Sequence, residues 1–148
     1  MESDLIMQKE SFNYWLAEMD DALERFLGMF PPDIRPQLDY SGGSLDVVER
    51  WLLERYANPD ALLSVSARDV LDGASRYVGE TFRKQIGGRW EIRLDDPQYA
   101  FFGLPQLTGF SDQPTPICAH SLVTAAADRR TGSYLRTVLQ NVAKRLRC

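Results

Sequence analysis

Residues 64–94 constrain the fold of this chain more than any other segment. Within residues 66–86, apolar side chains recur at helical spacing, which predicts an amphipathic helix with one buried face. Gly87-Gly88 is expected to end that helix, because glycine readily adopts the left-handed backbone that terminates many helices. In residues 89–94 every second side chain is apolar, which is the pattern of a half-exposed strand. A long helix that leads directly into a strand indicates an α+β fold.

Two further helices are predicted upstream. Residues 9–27 carry apolar side chains at three- and four-residue spacing, opposite an acidic face. A Gly- and Pro-rich connection ends at Ser44, which we expect to cap a second helix over residues 45–56 before Asn58-Pro59-Asp60 breaks it. Ser66 and Asp69 have the spacing of a capping box for the long helix.

Residues 98–104 are rich in aromatic side chains and are expected to form a second strand, antiparallel to the first. A third short strand is possible near residues 115–119. Residues 103–116 are rich in Gly and Pro, which indicates a loop that could bind a partner. Two helices, 121–130 and 133–146, follow. We therefore predict an α+β fold in which N-terminal helices, a small antiparallel sheet of about two to four strands and C-terminal helices form one domain.

The size and composition of the chain agree with one domain. Its 148 residues could bury roughly 70% of their unfolded surface, so we assign residues 1–148 to a single domain. The first residues lack the basic and apolar segments of a secretory signal, and no window approaches the ~18 apolar residues of a membrane span. We expect a cytoplasmic protein with no membrane association. Cys118 and Cys148 have no metal-ligand spacing, and we expect no disulfide between them.

The charge is unevenly distributed. Residues 1–80 hold 16 acidic and 7 basic side chains, and residues 81–148 hold 5 acidic and 10 basic ones. This asymmetry could mark a charged partner surface, or the two halves could neutralise each other in the folded protein. If the acidic half forms a surface, it could contact a basic partner and steer its association. The candidate partner-binding residues are Asp20, Asp21, Glu24, Asp39 and Asp46.

An alternative is a small ligand-binding or enzymatic domain. Its pocket would lie near Tyr77, Glu80, Trp90 and His120, where aromatic walls and polar groups could gather. His120 is the single histidine, so any Ser-His-Asp or Cys-His site must use it. A zinc site would lack ligands, and we predict neither a metal nor a cofactor. For Glu80 a structural ion pair with Arg83 or Arg89 is the favoured interpretation.

The C-terminal region is basic, but we predict no nucleic-acid partner. The sequence pI near 5.0 opposes binding to phosphates, and no recognition-helix pattern is present. A solvated helix face explains these basic side chains better. They are Arg129, Arg130, Arg136, Lys144, Arg145 and Arg147.

Four short motifs follow one another from residue 77 to residue 132. They are Tyr77-Val78-Gly79-Glu80, Gly87-Gly88-Arg89-Trp90, Ser121-Leu122-Val123 and Arg129-Arg130-Thr131-Gly132. In these motifs the chain resembles a family of small uncharacterised bacterial proteins that is similar to the immunity proteins of polymorphic toxin systems. The resemblance covers about residues 40–145 and implies an α+β fold and a binding role. The family has no agreed functional residues that could be assigned to positions of this chain. We therefore expect a non-enzymatic, immunity-type inhibitor that binds a toxin or another protein, with an oligomeric state that the sequence leaves open.

Overall fold

The centre of the fold is the long amphipathic helix α5 (Arg68–Ile86), in a computed structural model that describes residues 2–110 and 115–146. Its buried side chains include Val70, Ala74, Val78 and Phe82. The helix ends at Gly87, whose φ of +88° favours glycine. These features confirm the predicted helix and its end. The predicted capping box is wrong, because Ala67 is the N-cap residue and provides no side-chain hydrogen bond.

Seven α-helices and two strands are present within the described residues, which confirms the α+β class. The other helices are α1 (Glu2–Ala17), α2 (Met19–Leu27), α3 (Gly42–Arg55), α4 (Pro59–Leu62), α6 (Ala119–Arg129) and α7 (Tyr134–Leu146). Short 3-10 turns occupy Arg35–Gln37 and Val65–Ala67. Because α5 packs against α2, α3, α6 and α7, the helices share one hydrophobic core.

The N-terminal helices differ from the prediction in three details. The helix predicted over residues 9–27 is two helices, which meet at Glu18. Ser41, rather than Ser44, caps α3, and its Oγ accepts a hydrogen bond from the Ser44 backbone amide at 3.2 Å. Asn58, which was expected only to break a helix, caps the short α4 through its Oδ1.

The sheet has two strands, β1 (Arg89–Glu91) and β2 (Gln106–Thr108), which pair antiparallel with Trp90 opposite Leu107. The predicted first strand is therefore shorter than residues 89–94. The second strand predicted over residues 98–104 is wrong, because that segment forms consecutive turns. The strand that pairs with β1 is β2, and it lies within residues 103–116, the region that was predicted to be a loop.

A β-bridge between Leu107 and Ile117 is formed where the third strand was predicted, near residues 115–119. The Leu107 amide donates to the Ile117 carbonyl at 2.8 Å, and the Ile117 amide donates back to Leu107 at 2.9 Å. Residues 111–114 of the predicted binding loop lie outside the described residues. The bridge brings the chain to the start of α6 beside the two-stranded sheet.

The two predicted C-terminal helices are confirmed as α6 and α7, with Gly132 in the joint between them. Arg130 ends α6 in the left-handed conformation, with φ of +57°. Its guanidinium donates to the carbonyl of Leu53 at 2.9 Å, which ties the joint to α3. Cys118 is buried, whereas Cys148, its possible disulfide partner, lies outside the described residues, as does Arg147.

The buried hydroxyl of Tyr77 connects α5 to the start of α3. It donates to Ser44 Oγ at 2.8 Å and accepts from the Tyr40 amide at 3.0 Å. We expect Tyr77→Phe to lower the free energy of unfolding by about 1–2 kcal/mol, because it leaves the Tyr40 amide without its acceptor. Urea denaturation measures the change. Tyr56→Phe is a suitable control, because in the described part of the chain the Tyr56 hydroxyl forms no hydrogen bond. Equal effects of the two substitutions would contradict this role for Tyr77.

Candidate functional site

A recess of about 340 Å³ opens between α5, the start of α6 and the segment that connects β1 to β2. We call it the tryptophan recess. Its apolar wall contains Trp15, Leu71, Trp90, Leu104 and Pro105. Its polar members include Arg68, Asp72, Ser75 and His120. An apolar concavity with a few polar groups is the usual composition of a small-molecule site, and this volume is at the lower end of the range for such sites.

Trp15 is held in the recess wall by two residues of α5. Its indole Nε1 donates to Asp72 Oδ1 at 2.8 Å. Arg76 donates from Nε to Asp72 Oδ2 at 2.8 Å and from Nη1 to the Trp15 carbonyl at 2.7 Å. The Arg76 guanidinium also lies over the Trp15 ring at 4.2 Å from its centroid, a cation–π contact. These contacts fix the end of α1 against α5 and orient one side of the recess.

Trp90 forms the adjoining wall because Gly79 leaves room for it. The six-membered ring of Trp90 lies directly against the Gly79 backbone, where the β-carbon of any other residue would overlap it. Trp90 also meets Trp15 edge to face, with ring centroids 5.0 Å apart and an interplanar angle of 77°. Gly79, on the helix, and Trp90, on β1, therefore act together to define the shape of the recess.

His120 lies in the first turn of α6, at the recess wall. Burial lowers its pKa below the ordinary value of 6.5, so the imidazole is uncharged at neutral pH. Within residues 2–110 and 115–146 its side chain forms no hydrogen bond. The neighbouring Ser121 hydroxyl donates instead to Cys118 Sγ at 3.4 Å. The described geometry therefore does not connect His120 to a Ser or Cys nucleophile.

Arg68 and Asp72 are the charged side chains of the recess. Both Asp72 oxygens already accept hydrogen bonds, from Trp15 and from Arg76. Arg68 is exposed, and its side chain forms no ion pair or hydrogen bond with any described residue. The recess therefore contains one uncommitted positive charge. The described residues include no cluster of three or more His, Cys, Asp or Glu side chains that could hold a metal ion.

The structure does not bring the four residues of the predicted pocket together. Trp90 and His120 both line the tryptophan recess. Glu80 lines a separate depression that Trp90 also borders, and its Oε2 accepts from Arg83 Nε at 2.6 Å. This bond is the structural ion pair that we favoured for Glu80. Tyr77 is fully buried in the core, and burial raises its pKa.

Of the recess residues, sequence reasoning predicted only Trp90 and His120, and those that it missed include Trp15, Arg68 and Asp72. Trp15 was assigned to the buried face of the first helix, and only the fold shows that its indole reaches Asp72, 57 residues away. One signal was available. Asp72 and Arg76 have the i,i+4 spacing of a helical ion pair, and they lie within the segment predicted to form the long amphipathic helix.

Three of the predicted partner-binding residues lie on α2. Asp20, Asp21 and Glu24 are all exposed. None of them forms a hydrogen bond or ion pair in the part of the chain that the structure describes. Glu24 follows Asp21 by three residues and Asp20 by four, so the three side chains lie on one side of the helix. We call this surface the α2 acidic face.

The other two predicted residues make contacts within the protein. Asp39 is exposed, and hydrogen bonds from the Ser41 side chain and backbone lower its pKa. Asp46 is largely buried, with 16% of its side chain exposed, and it pairs with Arg136 at 3.1 Å. The Asp46–Arg136 pair joins the acidic half of the sequence to the basic half, so part of the charge asymmetry is neutralised inside the fold.

Comparisons with protein-family models, with curated proteins and with solved structures found no match to this chain. Among the described residues, no helix combines the length and the apolar composition that crossing a membrane requires.

Proposed function

We propose that this protein is a non-enzymatic cytoplasmic interaction protein of immunity type, which binds and inhibits a basic toxin or another basic protein. The observation that supports this proposal is the α2 acidic face, defined by Asp20, Asp21 and Glu24. These carboxylates are exposed and have no partner among the described residues. Such a surface is complementary to a cluster of Lys and Arg side chains on another protein.

The helix dipole favours Asp20 and Asp21 in the first turn of α2, but the spacing of Asp20 and Glu24 carries an energetic cost. Like charges at i,i+4 spacing, as at Asp20 and Glu24, destabilise a helix by about 0.2–0.5 kcal/mol. No basic side chain on α2 offsets all three charges, since Arg25 pairs with Glu18 at 3.8 Å. A basic partner would relieve this repulsion on binding, and the field of the three charges would raise its association rate.

The opposite side of α2 makes the face rigid. Leu23 and Phe26 are buried in the core, and Phe26 packs edge to face on Phe30 with ring centroids 5.2 Å apart. An inhibitor surface benefits from such pre-organisation, because little conformational entropy is then lost on binding. The α2 acidic face therefore belongs to a fixed scaffold.

Asp39 can extend the surface, whereas Asp46 is poorly suited to it. Burial, followed by the effects of Tyr77, Glu80 and Asp20, raises the pKa of Tyr40 to about 12. The Asp20 carboxylate therefore acts on Tyr40, the residue that follows Asp39. To contact a partner, the Asp46 carboxylate would first have to break its ion pair with Arg136. We place the contact on the α2 acidic face, with Asp39 at its border.

The first test is co-expression with candidate toxins, starting with the product of the neighbouring gene. We expect rescue of growth and capture of a complex that weakens as salt increases, because the contact is electrostatic. The triple variant Asp20→Asn, Asp21→Asn, Glu24→Gln should slow association about tenfold or more at low salt. Surface plasmon resonance across a range of salt concentrations measures both quantities.

A matched control removes the same number of charges elsewhere. Glu54, Asp60 and Asp128 are exposed and lie outside α2. Neutralising these three should leave the association rate within about threefold of the original, because distant surface charges are screened. Equal effects of the two triple variants, or binding that does not depend on salt, would exclude the α2 acidic face. Failure of every candidate toxin to be captured or neutralised would overturn the immunity-type function.

A further inference from the structure

The tryptophan recess has the dimensions of a small-molecule site. Its volume of about 340 Å³ is too small for a folded partner and sufficient for a molecule with one ring and a short chain. The edge-to-face pair of Trp15 and Trp90 forms its aromatic wall. Aromatic walls of this kind stack against, or meet edge to face, a planar ring more favourably than a flexible chain. The shape and the walls therefore favour an aromatic ligand.

The charge of the recess favours a negative group on that ligand. Arg68 is the charged side chain that has no described partner, whereas Asp72 is bonded to Trp15 and Arg76. The start of α6, which is the positive end of its dipole, lies at the same wall with Ala119 and His120. A single guanidinium matches one negative charge, and its planar donors fit the two oxygens of a carboxylate.

We infer that the tryptophan recess binds a small aromatic carboxylic acid, with its ring against Trp15 and Trp90 and its carboxylate paired with Arg68. This site is separate from the α2 acidic face and does not depend on the proposed inhibitor function. The residues of the recess supply binding and orientation, and no chemical step is assigned to them. The inference gives the chain a second kind of partner, of low molecular mass.

The test compares two probes of the same size and shape, one with a charged carboxylate and one with a neutral amide. 3-Phenylpropionate and its neutral amide, 3-phenylpropionamide, are titrated into the full chain and followed by ligand-observed NMR. We expect the acid to bind with a dissociation constant in the millimolar range or below, as small ligands with few atoms do. The amide should bind about three- to tenfold more weakly, because it cannot form the ion pair with the exposed Arg68.

Variants of Arg68 test the assignment directly. Arg68→Gln should abolish the preference for the acid, and Arg68→Glu should reverse it in favour of 3-phenylpropylamine. Arg50→Gln is the matched control, because Arg50 is exposed on α3 and is not part of the recess. Thermal melts verify folding, which exposed substitutions of this kind should leave intact.

Three results would overturn the inference. They are equal binding of the acid and the amide, a preference for the acid that survives Arg68→Gln, and no binding of the acid at millimolar concentration. The triple variant of the α2 acidic face should bind the acid like the original protein. Failure of the recess and failure of the inhibitor function are therefore distinguishable.

Discussion

Glu49→Ala should lower the free energy of unfolding by about 3 kcal/mol, since it removes the acceptor of two backbone amides at a helix N-terminus. Glu49 is fully buried on α3, and its two carboxylate oxygens accept from the amides of Tyr134 at 3.1 Å and Leu135 at 2.9 Å. These are the first two residues of α7. The carboxylate also interacts favourably with the positive end of the α7 dipole.

Urea denaturation followed by far-UV circular dichroism measures this loss. Glu49→Gln should cost less, about 1 kcal/mol, because its amide oxygen still accepts one of the two hydrogen bonds. Glu54→Ala, an exposed substitution on the same helix, is the control and should change stability by less than about 0.5 kcal/mol. If Glu49→Ala and Glu54→Ala had the same effect, Glu49 would not be the cap that stabilises α7.

Gly79→Ala should also destabilise the protein, by about 2 kcal/mol, although alanine is the better helix former. The new methyl group would overlap Cη2 and Cζ2 of Trp90, so the indole must move away from α5. Moving Trp90 also separates it from Trp15 and alters the recess wall. We therefore expect weaker binding of 3-phenylpropionate by this variant than by the original protein.

Two further variants distinguish the steric overlap with Trp90 from a general effect of replacing a helical glycine with alanine. At Gly43, in α3, an added β-carbon would meet only Ser41 Oγ at 3.8 Å, so Gly43→Ala should be neutral or stabilising. Combining Gly79→Ala with Trp90→Leu should cost less than the sum of the two single losses, because the smaller side chain relieves the overlap. Additive losses would show that Gly79 and Trp90 do not interact. Stability measured in urea distinguishes these outcomes.

Local patterns of the sequence predicted the helices better than the sheet. The stripe over residues 66–86 and the glycines after it predicted α5 because both signals are local. Residues 98–104 have strand-like composition, but their aromatic rings make contacts within a series of turns and not along a strand. Tyr99 packs edge to face on Phe101 with centroids 5.8 Å apart, and Arg93 lies over Tyr99 at 4.2 Å. These contacts stabilise turns, and they override the β-propensity of aromatic residues.

The candidate site was harder to predict because distant segments form it. Trp90 and His120 were expected near a pocket, and they do line the recess. Tyr77 was grouped with them as part of an aromatic wall, yet its hydroxyl bonds to Ser44 in the core. Trp15 bonds to Asp72, which is 57 residues away in the chain, and the periodicity of neighbouring residues cannot predict such a contact. Helical spacing identifies the inward side chains but not the segment that each one meets.

The cap that Glu49 provides for α7 has a consequence for the order of events during synthesis. The carboxylate and its two donors are 85 and 86 residues apart in the chain. A nascent chain that has not yet reached residue 134 therefore holds Glu49 without these donors, and burying an unpaired carboxylate is costly. We therefore expect this side of α3 to stay open to solvent until α7 has been synthesised. Completion of the core around Glu49 then waits for donors that lie 85 and 86 residues further along the chain.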